Sequence, residues 1–505
     1  MKFKYALLVA AIGISFVACE SDDNEDCCVD PIDKNIRFEH LTTISAGGTT
    51  EISAYDSKTK KLFTVNPDLD AVMIYDLTDP SKPIEAGVIE VSATGTPNSV
   101  SIYDKQLAIA VEASNKQNNG SVLLFDTQSN ALIQSYIVGA LPDMVMFSPN
   151  GKYIVVANEA EPSSDYLTDP AGSVSIIEVG SGVVSTLGFE AFNNQLSGLE
   201  EGGFRVFGPE ATVAQDVEPE YVAISDDSKT AWVTLQENNA MAKVNLETKK
   251  IEAIYPFGFK DHMLTENMID ASDKDGVTEF KNWPIYGMYL PDAIKYANIN
   301  GTGYLITANE GDARDYDGFS EETRVEDLVL DATVFPEAAN LQAKENLGRL
   351  KTTTTMGDID GDGDYDKIFA YGARSFSVWS TTGDLVYDSG NTIAQRVLDQ
   401  TPGSFNADQG EVDGRSDDKG AEPEAIELLK VGDKTLLFVG LERNSQVLVY
   451  DFSNPVAPEF LQILERAGDH APEGVLAIAA ADSPNDRDLL VVTNEDSGTI
   501  TIYQN

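Results

Sequence analysis

The chain has 505 residues with 42% hydrophobic residues, a formal net charge of −48 at pH 7, and three histidines. Such an acidic protein attracts cations, and this charge argues against nucleic acid and anionic membrane surfaces as partners. Because the three histidines lie far apart in sequence, a histidine-rich transition-metal site is also disfavoured, and oxygen-ligated Ca²⁺ is the cofactor that we expect.

Residues 1–18 have the features of a secretory signal. Lys2 and Lys4 precede an apolar run that is too short to remain in a membrane as a span. Ala18 directly before Cys19 resembles the bacterial lipobox. We therefore expect cleavage before Cys19 and lipidation of its thiol, with an ordinary cleaved signal and a free cysteine as the alternative.

Residues 19–35 are interpreted as an acidic tether. The stretch SDDNED after Cys19 resembles the surface-export signal of Bacteroidetes lipoproteins, and its polarity predicts a solvated segment. Cys27 and Cys28 are adjacent and poorly placed to bridge each other, and no cysteine follows them. We predict an outer-membrane lipoprotein exposed at the cell surface, with a periplasm-facing orientation as the alternative.

Residues 36–505 repeat a unit of four short apolar strands. Second strands read, for example, QLAIAVEAS, YIVVANEAE and DLLVVTNEDS, and turns rich in Gly, Asn, Asp and Ser separate the strands. This pattern predicts an all-β fold, a β-propeller of seven or eight four-stranded blades. The count is eight if residues 367–380 form their own blade. The last unit ends at its third strand, so residues 36–45 should supply the fourth and close the ring.

Acidic residues recur at the start of the first strand and at the end of the second strand, two positions that a propeller brings to one face. The first-strand positions are Glu51, Asp143, Glu220, Asp292, Glu424 and Glu473. The second-strand positions are Glu112, Glu159, Glu237, Glu310, Glu442 and Glu495. Four long insertions should rise from the same face, namely residues 188–218, 258–290, 311–347 and 391–422. Loops on a rigid scaffold are where sites are built, so this face is the functional candidate.

So many carboxylates at one channel opening would raise one another's pKa unless cations or arginines compensate. We therefore interpret this surface as a candidate ligand face, and the alternative is that each acid only accepts backbone hydrogen bonds in its turn. The candidate residues are Glu159, Glu310, Asp312, Arg314, Arg374, Glu424, Glu442, Arg443, Glu473 and Glu495.

The stretch GDIDGDGDYD, residues 357–366, has the form of a calcium-binding loop. The predicted ligands are Asp358, Asp360, Asp362, Asp364 through its carbonyl, and Asp366. Gly363 permits the sharp turn, but Phe369 stands where an EF-hand has glutamate, and β-sequence follows. The spacing resembles the calcium loops of integrin-type propellers, which link first and second strands. That resemblance implies a structural clip on the face opposite the insertions, with an unliganded acidic turn as the alternative.

Several motifs in order resemble the choice-of-anchor I family, among them LFTVNPDLDAVMIYDLTDPSKP, ITANEGDARDY, GDIDGDGDYDKIFAYGARSFSVW and ERNSQVLVYD. The resemblance covers essentially residues 36–505. It implies a propeller similar to esterase-like and phytase propellers. The family includes secreted bacterial proteins, often labelled alkaline phosphatase, and cell-surface glycoproteins linked to biomineralisation.

Two functions remain open from the sequence. The first is a surface calcium-binding module for a glycan, protein, matrix or mineral ligand. The second is a Ca²⁺-dependent phosphoesterase, in which carboxylate-held metal would activate water and Arg314, Arg374 or Arg443 would bind the oxygens of a phosphate ester. The sequence carries neither a G-x-S-x-G elbow nor a phosphate-binding P-loop.

Overall fold

The computed structural model describes residues 36–408 and 410–505. The predicted signal, Cys19 and the tether of residues 19–35 lie outside the described residues. Within the described part, seven four-stranded antiparallel sheets follow one another along the chain. The first strand of each sheet contacts the first strands of its two neighbours, and the seventh contacts the first. The all-β propeller prediction is confirmed, with seven blades.

Blades 1 to 4 are each built from four consecutive strands. Blade 1 contains Ser53–Asp56, Lys61–Asn66, Ala71–Asp76 and Ile84–Glu90. Blade 2 contains Pro97–Tyr103, Gln106–Val111, Asn119–Asp126 and Leu132–Ala140. Blade 3 contains Pro142–Phe147, Tyr153–Asn158, Ser173–Glu178 and Val183–Gly188. Blade 4 contains Pro219–Ile224, Thr230–Leu235, Ala240–Asn245 and Lys250–Pro256.

Blades 5 to 7 depart from this regular order at two places. Blade 5 contains Ile294–Ile299, Thr302–Asn309, Ser375–Ser380 and Leu385–Asp388, so a long insertion separates its second and third strands. Blade 6 contains Pro423–Val431, Lys434–Leu441, Gln446–Asp451 and Glu459–Glu465. Blade 7 contains Pro472–Ile478, Leu489–Asn494, Thr499–Gln504 and, from the other end of the domain, Glu39–Ser45.

The N-terminal strand closes the ring as predicted. Glu39–Ser45 pairs antiparallel with Thr499–Gln504, from Glu39 opposite Gln504 to Ser45 opposite Thr499. The pairing joins the two ends of the described domain by backbone hydrogen bonds, and it covers the strand edge that blade 7 would otherwise expose.

Differences in burial explain why the strands of one blade have different patterns of apolar and polar residues. Second strands such as Tyr153–Asn158 and Leu489–Asn494 are buried at every position, because they lie between the neighbouring blades. Strands covered on both faces are continuous apolar runs rather than alternating ones. Fourth strands such as Leu132–Ala140 lie at the outer rim and are largely exposed at their start.

Two insertions combine into a five-stranded sheet outside the blades, which the sequence did not predict. Its strands, in spatial order, are Phe259–Asp261, Tyr286–Met288, Phe369–Ala370, Lys351–Thr353 and Glu322–Arg324. We call this the insertion sheet. A separate apolar cluster around Trp283, Leu347 and Ile368 supports it.

The possibility of an eighth blade is wrong. Phe369–Ala370 belongs to the insertion sheet, whereas Ser375–Ser380 is the third strand of blade 5. The insertion into blade 5 therefore extends to residue 374. Its two ends meet where Gly311 has a φ of +102°, and a Cβ at that position would lie 2.2 Å from the backbone nitrogen of Gly372. Glycine is required there by both conformation and space.

Helices are short and lie mainly in the insertions. The α-helices are Leu196–Glu200, Val213–Asp216, Ala338–Leu341 and Thr392–Gln400. The 3₁₀ helices are Pro67–Leu69, Glu190–Gln195, Thr265–Asn267, Val325–Asp327 and Pro402–Ser404. Ile393 and Val397 of the longest helix are buried, and they pack into the core that blades 5 and 6 share.

Candidate functional site

Backbone irregularities turn the first-strand acids towards the channel. The strand pairing shifts register directly after the proline in several blades, namely between Pro142 and Val145, Pro219 and Val222, Pro423 and Ile426, and Pro472 and Gly474. A bulge leaves a residue out of the ladder and redirects its side chain. Asp143, Glu220, Glu424 and Glu473 occupy these bulges, so the repeated proline-acid pair has a local structural role.

Strained residues precede three of these prolines, and also Pro291 at the opening of blade 5. Their φ angles are positive, at Leu141 (+42°), Leu290 (+41°), Glu422 (+52°) and Ala471 (+56°). A non-glycine residue in this region costs about 1–3 kcal/mol and persists only where the surrounding structure imposes it. The strain recurs at the openings of blades 3, 5, 6 and 7, beside the acidic positions.

The acids surround a cavity of about 240 Å³ at the insertion-bearing end of the channel. We call it the carboxylate chamber. The carboxylates that line it are Asp143, Glu159, Glu161, Glu220, Glu237, Asp292, Glu310, Asp312, Glu424 and Glu473. The candidate residues Glu159, Glu310, Asp312, Glu424 and Glu473 therefore lie together as expected. Glu495 is half-buried and does not line the chamber.

Three of these carboxylates form a tight group. Oxygen atoms of Asp143, Glu159 and Glu220 all lie within 4.8 Å of one another. Burial, followed by the charges of Glu473 and Glu161, raises the pKa of Asp143 to about 7. Burial and neighbouring carboxylates also raise the pKa values of Glu159 and Glu220 well above the ordinary value. A bound cation would reverse this effect by stabilising the ionised forms.

Basic side chains already balance the negative charge of a second group of carboxylates on the same face. Glu310, Glu422 and Glu442 place carboxylate oxygens within 4.8 Å of one another. Lys419 Nζ lies 2.8 Å from Glu310 and 3.4 Å from Glu422, and Arg443 lies 3.2 Å from Glu422 and 3.1 Å from Glu442. This network is an internal set of ion pairs.

Glu422 shows how strong that compensation is. Its burial would raise the pKa, but the charges of Lys419, Arg415 and Arg443 outweigh burial and lower the pKa to about 2. Burial and repulsion from Glu310 instead raise the pKa of Glu442 to about 8. Lys419 and Arg415 were not among the candidates predicted from the sequence, although both lie shortly before the Glu422-Pro423-Glu424 segment.

The candidate arginine Arg314 is buried in an ion-pair network. Its Nη1 lies 2.7 Å from Asp216 Oδ1, and its Nη2 lies 2.9 Å from Glu218 Oε1. Nη2 also donates to the backbone carbonyl of Asp216 at 2.6 Å. The side chain lines the chamber, but these contacts engage its guanidinium within the protein.

Arg374 also has partners within the protein. Its guanidinium donates to the backbone carbonyls of Asp270 at 2.7 Å, Ser416 at 2.9 Å and Asp418 at 2.6 Å. Burial lowers its pKa to about 10. Arg374 therefore joins two insertions through their main chains. Among the three candidate arginines, Arg314 is buried, Arg374 is partly exposed, and Arg443 has 32% of its side chain exposed.

The aspartate loop is not where the sequence analysis placed it. Residues 358–366 connect Lys351–Thr353 to Phe369–Ala370, two strands of the insertion sheet. The expectation of a link between first and second blade strands, on the face opposite the insertions, is therefore wrong. The physical reason is that the β-sequence after the loop pairs with another insertion. The insertion leaves and re-enters blade 5 at the candidate ligand face.

Within the loop, carboxylates accept backbone amides and approach one another. Asp358 accepts the amides of Gly361 at 2.7 Å and Gly363 at 3.0 Å, and Asp366 accepts that of Ile359 at 2.9 Å. Gly363 adopts a φ of +100°, which confirms the need for glycine at the turn. Oxygen atoms of Asp358, Asp360 and Asp366 lie within 4.8 Å of one another.

Asp331 forms, with two aspartates of the loop, a further carboxylate group that was not predicted from the sequence. Backbone hydrogen bonds join Tyr365 to Val329 and Asp331, and oxygen atoms of Asp331, Asp364 and Asp366 lie within 4.8 Å of one another. Asp366 thus belongs to two adjacent groups. Partial burial and the charge of Asp362 raise the pKa of Asp364 to about 6. Asp362 itself accepts the amide of Asp364 at 3.2 Å.

Comparison with known families identifies the domain. A sequence model of the choice-of-anchor I domain matches residues 51–455, which is most of the chain. The chain belongs to the choice-of-anchor I family. This assignment confirms the resemblance drawn from the motifs, and a choice-of-anchor domain indicates a cell-surface protein.

Two relatives match parts of the choice-of-anchor I chain. Gigasin-3a of Magallana gigas is 31% identical over 189 residues, covering 32% of this chain and 66% of gigasin-3a. The mesenchyme-specific cell surface glycoprotein of Strongylocentrotus purpuratus is 26% identical over 277 residues, covering 47% of this chain and 35% of the glycoprotein. The chain thus spans just under two thirds of one relative and about a third of the other.

Solved structures share the propeller architecture at low sequence identity. Hydrazine synthase of Kuenenia stuttgartiensis aligns with a TM-score of 0.50 and 13% identity over 93% of this chain and 99% of that chain. The β-propeller domain of Cps50 (Swd1) from Myceliophteria thermophila aligns with a TM-score of 0.48 and 8% identity over 93% and 100%. The hydrazine synthase likeness shows the fold alone. In the described ranges, every helix falls short of the length and apolarity that crossing a bilayer requires.

Proposed function

We propose that this choice-of-anchor I protein is a calcium-binding β-propeller, held at the cell surface, that presents its insertion-bearing face to a glycan, protein, matrix or mineral ligand. Ca²⁺ takes six to eight oxygen ligands in flexible geometry, and clustered carboxylates supply such ligands. The family assignment supports the surface location, and so does the similarity to the mesenchyme-specific cell surface glycoprotein of Strongylocentrotus purpuratus.

The observation that carries the proposal is the pair of aspartate groups that share Asp366. One contains Asp358 and Asp360, and the other contains Asp331 and Asp364. The members come from two separated segments of one insertion, which the contacts of Tyr365 hold together. Calcium bound here would fix the insertion on the ligand face, so the ion would order the surface that meets the ligand.

Lipid attachment at Cys19 is part of the proposal. The lipobox-like Ala18-Cys19 pair and the acidic run after it support export and anchoring in the outer membrane. The test is detergent phase partition of the protein and of Cys19→Ala after expression in a lipoprotein-processing bacterium. We expect the parent in the detergent phase and the variant in the aqueous phase. A variant that still partitions as a lipidated species would refute the anchor.

The phosphoesterase alternative finds less support in the contacts. Arg314 and Arg374 are engaged by carboxylates and carbonyls within the protein, and Arg443 pairs with Glu422 and Glu442. A phosphate clamp needs guanidinium groups that are free to bind phosphate oxygens. The face therefore favours cation binding over phosphoryl transfer.

Isothermal titration with Ca²⁺ tests the function proposed here. The comparison uses the protein, Asp358→Asn/Asp366→Asn, and Asp433→Asn as a control that removes one negative charge from an exposed turn. The double variant should lose at least one calcium site, and the control should match the parent. An isotherm that is unchanged by the double substitution would exclude the loop as the calcium site.

A further inference from the structure

We infer that the carboxylate chamber is a separate cation site, in which Asp143, Glu159 and Glu220 hold one Ca²⁺ ion. This inference deepens the proposed function, because it shares the premise that the insertion-bearing face binds calcium. It assigns a ligand to residues that take no part in the aspartate loop, so the two sites can be tested independently.

The three ligands come from rigid elements of two adjacent blades. Asp143 and Glu220 lie in the bulges at the starts of the first strands of blades 3 and 4, and Glu159 directly follows the second strand of blade 3. Their oxygen atoms lie within 4.8 Å of one another. With Ca–O distances of about 2.3–2.6 Å, two ligands on opposite sides of calcium lie about 4.6–5.2 Å apart.

Among the described residues, two further carboxylates of the chamber each have a buried oxygen atom without a hydrogen-bond partner. Glu237 lines the chamber and is only 5% exposed, and its Oε2 has no hydrogen-bond partner among the described residues. Glu424, 9% exposed, also lines the chamber and leaves its Oε2 unpaired within the same ranges. Buried polar groups are normally paired, and an oxygen-ligated cation would satisfy such acceptors.

Arg314 in the chamber lining and Lys419, which contacts the lining residue Glu310, are paired with other acids. Arg314 lies against Asp216 and Glu218, and Lys419 lies against Glu310 and Glu422. Because these basic side chains are held in ion pairs with other acids, a diffusing cation is free to bind Asp143, Glu159 and Glu220. The chamber volume of about 240 Å³ also leaves room for several waters at roughly 30 Å³ each, or for ligand oxygens, beside the ion.

Equilibrium dialysis with radioactive Ca²⁺ at pH 8 separates the two sites. The proteins are the parent, the loop variant Asp358→Asn/Asp360→Asn/Asp366→Asn, and the chamber variant Glu159→Gln/Glu220→Gln. Glu85→Gln/Glu90→Gln is the matched control, since both residues are exposed on the outer strand of blade 1, away from the chamber lining.

We expect the loop variant to retain one bound calcium, the chamber variant to bind one fewer than the parent, and the control to match the parent. If the chamber variant does not fold, Glu237→Gln in the loop variant should weaken the remaining site at least tenfold. A loop variant that binds no calcium would overturn the chamber site but leave the proposed function intact. A chamber variant with the parent's stoichiometry would overturn it equally, and a parent that binds no calcium would overturn both proposals.

Discussion

Arg314 Nη1 lies 2.7 Å from Asp216 Oδ1, with both side chains almost completely buried. The ion pair fixes the insertion of blade 5 to the segment that opens blade 4. Replacing Arg314 with Met should leave Asp216 and Glu218 as buried charges without their partner. The loss of a buried ion-pair partner costs about 3–5 kcal/mol of stability.

Chemical denaturation of Arg314→Met checks this expectation. Arg37→Met is the control, because Arg37 pairs with Glu39 in solvent, with 76% of its side chain exposed, and exposed pairs contribute little. The control should unfold like the parent. If Arg314→Met and the parent have the same free energy of unfolding, Arg314 is dispensable for the fold and is again a candidate for ligand binding.

Calcium should raise the melting temperature. A ligand that binds only the folded state stabilises it by about 2.7 kcal/mol at a hundredfold excess over Kd. Without an ion, repulsion from Asp362 first and burial second raise the pKa of Asp360. Calcium would relieve this repulsion, and Asp360→Asn removes the carboxylate on which it acts. The variant should therefore show a smaller difference between the melting temperatures in Ca²⁺ and in EGTA. Asp433→Asn should keep the full difference. Identical melting of the parent in both buffers would contradict calcium binding.

The stability of the calcium-free protein should fall as pH rises from about 5 to 9. Burial, then the charges of Glu473 and Glu495, raises the pKa of Glu51 from 4.5 to about 9. Burial, then the charge of Glu310, raises the pKa of Glu442 to about 8. The folded state binds these protons more tightly than the unfolded chain. Their stabilisation is therefore fully present below pH 4.5 and lost as pH approaches the folded values. Glu422, with its lowered pKa of about 2, is already ionised throughout this range.

Denaturation in EGTA at several pH values measures how steeply the free energy of unfolding falls with pH. Glu51→Gln should flatten it, since the amide does not titrate, while Glu85→Gln on the outer strand of blade 1 should leave it unchanged. A free energy of unfolding that increases towards pH 9 in the parent would contradict the sign of these shifts.

Phosphate-ester hydrolysis should be absent or independent of the three candidate arginines. Arg314, Arg374 and Arg443 are held by protein partners, so none is arranged as a phosphate clamp. Incubation with p-nitrophenyl phosphate and phytate, with and without Ca²⁺, is the measurement. Calcium-dependent turnover that Arg443→Met abolishes would restore the phosphoesterase interpretation.

The repeated parts of the fold could be predicted, because each blade presents the same strand and turn pattern. Ring closure by Glu39–Ser45 followed from a last unit that lacked a fourth strand. The acidic face followed from two equivalent positions in every unit, and the chamber brings Glu159, Glu310, Glu424 and Glu473 together as expected.

The insertions could not be predicted in the same way. Tyr286–Met288 pairs in parallel with Phe369–Ala370, a contact between short strands from two insertions that leaves no local period in the sequence. That pairing determines where the aspartate loop lies. The partners of the candidate residues, such as Lys419 for Glu310 and Asp331 for Asp366, likewise depend on how loops fold back on the scaffold.

Anomalous X-ray diffraction from crystals grown with Ca²⁺ tests the central claim most directly. Calcium scatters anomalously at long wavelengths, so an ion can be located without assuming its ligands. We expect a peak between the oxygen atoms of Asp358, Asp360 and Asp366, with Ca–O distances of about 2.3–2.6 Å. Crystals at saturating calcium that show no peak at these aspartates, nor at the adjacent Asp331 and Asp364, would contradict the account of this loop as a calcium site.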